Sequence, residues 1–202
     1  EMKEMTYNNL DSFSGEIPTK SNYRYLTPLY KNYLDSFSSS KLQNNISRID
    51  NEYTSQNKTY KGKVIIIGGS TYRIGSSVEF DWCCVSTARR ARELGYYVVM
   101  INDNPETVST DYQECDALYM ENPNIKSLKA IYKIETELCQ KQRIEMLGVI
   151  VSMGGQTSNN IVMDCANTGI HILGTQYKQI ENAEDRDAFS SLLDKLHIDQ
   201  PE

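Results

Sequence analysis

From residue 62 onward, apolar residues fall into short runs separated by polar loops and amphipathic stretches. V-I-I-I at 64–67, closed by Gly68–Gly69, reads as a buried β-branched strand. Residues 77–94 read as a helix with Val78, Val85, Ala88 and Ala91 on its apolar face and Gly95 as a stop. Strands follow at 97–101 and 117–120. Residues 125–142 suit a helix whose inner face carries Leu128, Ile131, Tyr132, Ile134 and Leu138. A strand at 148–151 ends at Gly154–Gly155. A helix at 158–168 stops at Gly169, and a short strand takes 170–173. Residues 182–196 read as a charged helix with Phe189, Leu192, Leu193 and Leu196 on one side. Strand and helix alternate throughout. The expected fold class is α/β, a Rossmann-like parallel sheet with helices on both faces, doubly wound.

Upstream the pattern is different. Residues 1–35 carry Tyr7, Phe13, Tyr23, Tyr25, Tyr30 and Tyr33 without a helical or strand period, and read as an extended N-terminal arm packed on something else. Residues 36–61, rich in Ser, Asn, Gln and Lys, read as a polar linker or insertion. With only 39% hydrophobic residues overall, the core must come from about residue 62 onward. The start, without Met at position 1, and the Pro201 that follows the last helix suggest a piece of a longer chain.

The net charge of -6, without a basic stripe, argues against nucleic acid. No apolar run approaches the ~18–20 residues that span a bilayer, so no membrane role is expected. Five cysteines, adjacent at Cys83–Cys84 and never spaced C-x-x-C, fit reduced thiols in the cytosol better than disulfides. Two histidines, His171 and His197, lie away from paired cysteines, which leaves little basis for a zinc site.

Three polar loops follow strands and should gather at the carboxyl edge of the sheet, where open α/β sheets bind ligands. G-G-S-T-Y-R-I-G-S-S (68–77) is either a ligand-approaching turn at a helix N-terminus or a plain strand–helix turn. It matches neither G-x-G-x-x-G nor G-x-x-x-x-G-K-[ST], although Asp103 stands where a ribose-binding acid would sit. Glu79 and Asp81 either compensate the helix dipole or turn Glu79 toward Arg73 at the sheet edge. In N-D-N-P-E-T-V-S-T-D-Y (102–112), Pro105 sets a turn and Thr107 or Ser109 can cap a short helix. In S-M-G-G-Q-T (152–157), the glycines permit close backbone approach, Gln156 and Thr157 can hydrogen-bond a ligand, and Thr157 can equally be an N-cap. No Ser–His–Asp or Cys–His arrangement exists, and Cys83 and Cys84 read as packed helix thiols.

Together the loops are more specific. R-I-G-x-x-x-E-F-D (73–81), N-P-E-T-V-S-T-D-Y (104–112), G-V-I-V-x-x-G-G-Q-T (148–157) and A-E-D-R-x-x-F (183–189) resemble the large subunit or region of carbamoyl-phosphate synthetase over about residues 62–202. Cys83–Cys84–Val85 after E-F-D, and L-D-S-x-S-G-E-I-P with N-Y-R-Y-L-T upstream, resemble the second of its two synthetase units. The resemblance implies four regions. Residues 1–35 follow the oligomerisation domain, 36–61 form a linker or insertion, 62–182 form the pre-ATP-grasp domain, and 183–202 start an ATP-grasp domain.

It also implies a function. The family makes carbamoyl phosphate from bicarbonate, glutamine-derived ammonia and two ATP, and the second unit phosphorylates carbamate. Arg73, Ser77, Glu79, Asn104, Thr107, Gly154, Gly155, Gln156 and Thr157 are expected to line the cleft or tunnel, with no catalytic residue and no metal ligand among them. ATP and Mg²⁺ are expected mainly on the ATP-grasp domains. Expected partners are the rest of the synthetase chain, a glutaminase domain or subunit, and bicarbonate, ammonia and carbamate, in the cytoplasm, for pyrimidine or arginine biosynthesis. The fragment alone is expected to be inactive. Departures from the family pattern are Thr71–Tyr72 in place of Pro-Asn, Trp82 in place of Tyr, and Ser76–Ser77 in place of Gln and a very small residue. Ser77 would narrow or polarise the channel wall. The alternatives are a stand-alone Rossmann-like nucleotide-binding module and a non-catalytic scaffold docked through its arm.

Overall fold

The computed structural model describes residues 5–9, 23–28, 59–69, 78–111 and 113–201. Arg73, Ser77, Tyr72, Ser76 and most of the 36–61 stretch lie outside the described residues. The described elements are β1 (Met5–Asn9), β2 (Tyr23–Pro28), β3 (Lys63–Ile67), α1 (Val78–Glu93), β4 (Tyr97–Asn102), β5 (Ala117–Met120), α2 (Ile125–Gln142), β6 (Met146–Ile150), α3 (Gln156–Asn159), α4 (Val162–Asn167), β7 (Ile172–Leu173), α5 (Tyr177–Glu184) and α6 (Arg186–Lys195). The strands form one sheet in the order β1-β2-β5-β4-β3-β6-β7. Every neighbouring pair is parallel except β1 with β2.

The sheet is buried on both faces, so its central strands read as continuous apolar runs. On one face Ile65, Ile67, Val99, Ile101 and Val149 pack with Leu128 and Ile131 of α2, Val162 and Cys165 of α4, and Ile180 of α5. On the other, Val64, Ile66, Val98, Met100 and Leu118 pack with Cys84 and Ala88 of α1. The α/β sheet with helices on both faces is therefore as expected. The connection from β5 through α2 to β6 carries the chain past β3 to its far side, and the strand order reverses there.

Several details differ from the sequence reading. The described parts of the arm are strands, and β2 extends the parallel sheet by pairing Tyr23 with Leu118 and Arg24 with Tyr119. The helix expected over 158–168 is two pieces. It begins earlier, at Gln156, and is interrupted at Asn160–Ile161, where the Ile161 N–H donates to the Ser158 carbonyl three residues back (3.4 Å). The helix expected over 182–196 is also two, because Asp185 takes an extended conformation and its carboxylate accepts the Ala188 N–H at 2.8 Å. A good N-cap residue inside an apolar-periodic stretch starts a new helix. On α1, Val78 is exposed, and Asp81 and Cys84 are buried instead.

The inner face of α2 holds the largest surprise. Glu135 is fully buried where the pattern expects apolar side chains. Its carboxylate accepts from Arg24 of β2 (2.6 Å), Lys63 of β3 (2.6 Å) and the Tyr119 hydroxyl of β5 (2.6 Å). Burial alone pushes its carboxyl up, but Lys63 and Arg24 together with these hydrogen bonds bring it below the ordinary value. The Lys63 ammonium also lies 4.8 Å from the centre of the Tyr97 ring. The cluster joins arm, sheet and helix through one carboxylate.

All five cysteines are free thiols. Cys84 packs as expected, with Sγ 3.7 Å from the Ile67 carbonyl, but Cys83 is exposed. Burial pushes the Cys84 and Cys115 thiols up to about 12 and Cys165 to about 11. A colorimetric thiol reagent is therefore expected to modify one cysteine rapidly in the native chain, Cys83, and all five after denaturation. Loss of the fast phase in Cys83→Ser checks the assignment, and a second fast thiol in that variant would contradict it.

Candidate functional site

β3, β4 and β6 are adjacent parallel strands, so the chain leaving each one emerges at the same carboxyl edge. The loops after β3 and β6 flank the point where strand order reverses, the position at which open α/β sheets form a crevice. The described starts of the three loops are thereby brought to one edge. Of the first loop, Gly68 and Gly69 are described, and the description resumes at Val78.

The loop after β4 is built by its own side chains. The Asn104 N–H donates to Asn102 Oδ1 (3.1 Å), and the Glu106 N–H to Asn104 Oδ1 (3.0 Å). Asn102 Nδ2 donates to Ser109 Oγ (3.1 Å). The Thr110 hydroxyl donates to the carbonyls of Asn104 (2.9 Å) and Thr107 (2.8 Å). Asn104 and Thr107 are both buried. Their placement makes them builders of the loop, which ends in a 3-10 turn over Val108–Thr110. Thr107 holds the N-cap position of that turn, as expected, but without a side-chain capping bond, and Ser109 lies inside the turn. Asp103 accepts from Asn122 Nδ2 (3.0 Å), which ties this loop to the end of β5.

The loop after β6 is shaped by tight contacts. A Cβ added to Gly154 would lie 2.5 Å from the Ile67 carbonyl oxygen and 2.7 Å from that of Gly68. Gly155 has φ 68° and ψ -154°, a region essentially restricted to glycine, and its Cβ would meet the Phe80 ring at 3.0 Å. The close approach foreseen at this pair is thus made by the protein's own chain. Gly155, not Thr157, is the N-cap of α3. Gln156 is exposed at the start of α3, and Thr157 is half-buried beside it.

α1 begins at the same edge. Glu79 in its first turn is exposed. Asp81, which the sequence pairs with it as a dipole-compensating carboxylate, is buried and accepts the Ser109 N–H at 3.2 Å. Phe80 stands against Gly155 of the loop after β6, and Asp81 serves the loop after β4 and not only the helix dipole. Nothing in the E-F-D pattern announces contacts to two different loops. Among the described residues no group of three or more His, Cys, Asp or Glu side chains could hold a metal, and no helix is long and apolar enough to cross a membrane.

Residues 60–182 match the family described as carbamoyl phosphate synthase preATP-grasp domain. The multifunctional protein pyrABCN of Emericella nidulans is 41% identical over 192 residues, covering 95% of this chain and 7% of that protein. The mitochondrial arginine-specific large chain of carbamoyl phosphate synthase from Schizosaccharomyces pombe is 40% identical over 192 residues, covering 95% of this chain and 14% of that one. The multifunctional protein CAD of Squalus acanthias is 40% identical over 192 residues, with 95% and 7% covered. The chain therefore spans between 7% and 14% of the length of these relatives. Among solved structures, the biotin carboxylase domain of a thermophilic 2-oxoglutarate carboxylase bound to bicarbonate is similar at 17% identity and a TM-score of 0.41, over 69% of this chain and 29% of that one, a likeness too slight to bear on function. The match over 60–182 takes in all three loops at the carboxyl edge, and the chain belongs to the carbamoyl phosphate synthase preATP-grasp domain family.

Proposed function

We propose that this chain is part of a glutamine-dependent carbamoyl-phosphate synthetase and forms one wall of the site that phosphorylates carbamate with ATP. The observation that supports this reading best is the convergence of the loops after β3, β4 and β6 at one sheet edge, beside the reversal of strand order. The wall acts by shape and polarity. Asn104 and Thr107 hold one loop rigid, Gly154 and Gly155 hold the second against β3, and Glu79, Gln156 and Thr157 offer polar groups from helix N-termini. Arg73 and Ser77 are assigned to the same wall from sequence. Such a surface orients a small anion and excludes water without taking part in bond making.

The proposed division is an arm at 1–35, a linker at 36–61, the pre-ATP-grasp domain at 62–182, and the beginning of an ATP-grasp domain at 183–202. The last assignment accords with α6 and its C-cap, where Phe189, Leu192 and Leu196 are exposed. As the family resemblance implies, Mg²⁺ and ATP are assigned to the ATP-grasp domains, and the isolated fragment is held to be inert. Glutaminase, bicarbonate, ammonia and carbamate are the proposed partners. The five free thiols favour a cytoplasmic setting. A stand-alone nucleotide module is less well supported, since the loop after β3 lacks the G-x-G-x-x-G fingerprint.

Gln156→Ala in the complete synthetase tests the reading. Gln156 is exposed, so folding should be little affected, while loss of an orienting hydrogen bond is expected to lower carbamoyl phosphate formation about tenfold or more. Wild-type rates in a folded variant would refute it.

A further inference from the structure

We infer that Asp81 is a positioning residue for carbamate phosphorylation, holding the N-P-E-T-V-S-T loop against the first turn of α1 so that both sides of the cleft keep one geometry. The inference rests on the cleft reading above and adds a part to it. Successive residues on a helix point about 100° apart, so neighbours can touch structures on opposite sides. Phe80 turns to the loop after β6, where its ring stands against Gly155. Asp81 turns to the loop after β4 and accepts the Ser109 N–H at 3.2 Å. Those loops leave the strands on either side of β3, and α1 follows β3 in the chain. Two adjacent residues of α1 therefore hold the loops after β4 and β6 in register with each other.

The bonding of Asp81 separates this role from simple stabilisation. The side chain is only 4% exposed, its Oδ2 takes the Ser109 N–H, and its Oδ1 is buried with no hydrogen-bond partner among the described residues. A buried carboxylate with an unmatched oxygen is unfavourable for folding. Glu135, by contrast, is buried with three partners that engage both of its oxygens. An under-bonded acid fixing one backbone N–H of a loop at the site is the pattern of a group kept for geometry.

The test uses the complete synthetase with Asp81→Ala, Asp81→Asn and Asp81→Leu. Asparagine keeps an acceptor for the Ser109 N–H. Leucine keeps the branch at Cγ and removes the acceptor, which covers the case where alanine opens a destabilising cavity. Carbamate phosphorylation is read in reverse, as ATP formed from ADP and carbamoyl phosphate. The first half-reaction is read as bicarbonate-dependent ATP hydrolysis, and folding by the thermal midpoint. Asp81→Ala and Asp81→Leu are expected to lower ATP formation about 10- to 100-fold with bicarbonate-dependent turnover little changed, and Asp81→Asn to recover most of the loss. Equal loss in both half-reactions, no loss in the leucine variant, or an asparagine variant as poor as leucine would overturn the inference. Gln156→Ala is measured in parallel. If it impairs ATP formation and Asp81→Leu does not, the positioning role alone fails. If neither does, the cleft reading fails with it.

Discussion

Replacing Glu135 with alanine is expected to destabilise the fold by about 3–5 kcal/mol, the range for removing one partner of a buried charge cluster. The carboxylate is fully buried and accepts from Arg24, Lys63 and Tyr119, each at 2.6 Å. Without it, two cationic side chains from neighbouring parts of the sheet face each other in a low dielectric. In a chain of this size the loss corresponds to a fall of about 10 °C in the thermal midpoint. Glu135→Gln keeps the shape but not the charge and should recover only part of it. The pH dependence has a definite sign. The carboxyl is held below its ordinary value in the folded chain, so its contribution is complete above the unfolded value of about 4.3. It disappears as pH falls through the lower folded value. Stability of the wild-type chain should fall steeply on acidification below about pH 4. In Glu135→Gln the curve should be flatter there. Denaturant titrations across pH check both, and identical acid profiles would contradict the assignment. The cluster also makes a claim about the arm. Because Arg24 lies on β2, removing residues 1–58 should destabilise the remaining domain, although the arm is not part of the matched region.

Gly154→Ala is the second large effect. The new Cβ would sit 2.5 Å and 2.7 Å from carbonyl oxygens of Ile67 and Gly68, and 2.7 Å from Ser158 Oγ. Two of those atoms are backbone at the end of the central strand, where nothing can swing aside. Overpacking of this kind costs about 1–3 kcal/mol or more. It also pushes the loop carrying Gln156 away from β3. A displacement of about 1 Å at a site that works by positioning costs on the order of 100-fold in rate. The expected variant is therefore folded but thermally weakened, with carbamoyl phosphate formation reduced far more than the stability change explains. Near-wild-type activity in the full enzyme would mean that this loop does not shape the cleft.

Much of the fold is legible in the chain because parallel strands buried on both faces leave unbroken apolar runs. V-I-I-I and V-V-M-I announce β3 and β4 directly, and α2 has the bounds its period predicts. β2 is not legible, since Y-R-Y-L-T alternates badly and places a buried Arg24 where a strand pattern calls for an apolar residue. Glu135 is hidden for the same reason, because a single acid on an apolar helix face looks like a solvated position until its partners, 111 and 72 residues away in sequence, come together. The breaks at Asp185 and Ile161 fall to capping and backbone geometry, which hydropathy does not report. At the site, the loops could be found from glycines and from strand ends. That Asn104 and Thr107 point inward, and that Phe80 and Asp81 join the loops, depends on packing across elements.

The central claim is that these loops wall the carbamate site, and one measurement bears on it most directly: ATP formation from ADP and carbamoyl phosphate by the intact synthetase carrying Gln156→Ala. The account predicts a loss of about tenfold or more in that reaction, with the thermal midpoint and bicarbonate-dependent ATP hydrolysis held near wild type. An unchanged rate of ATP formation in the folded variant would contradict it.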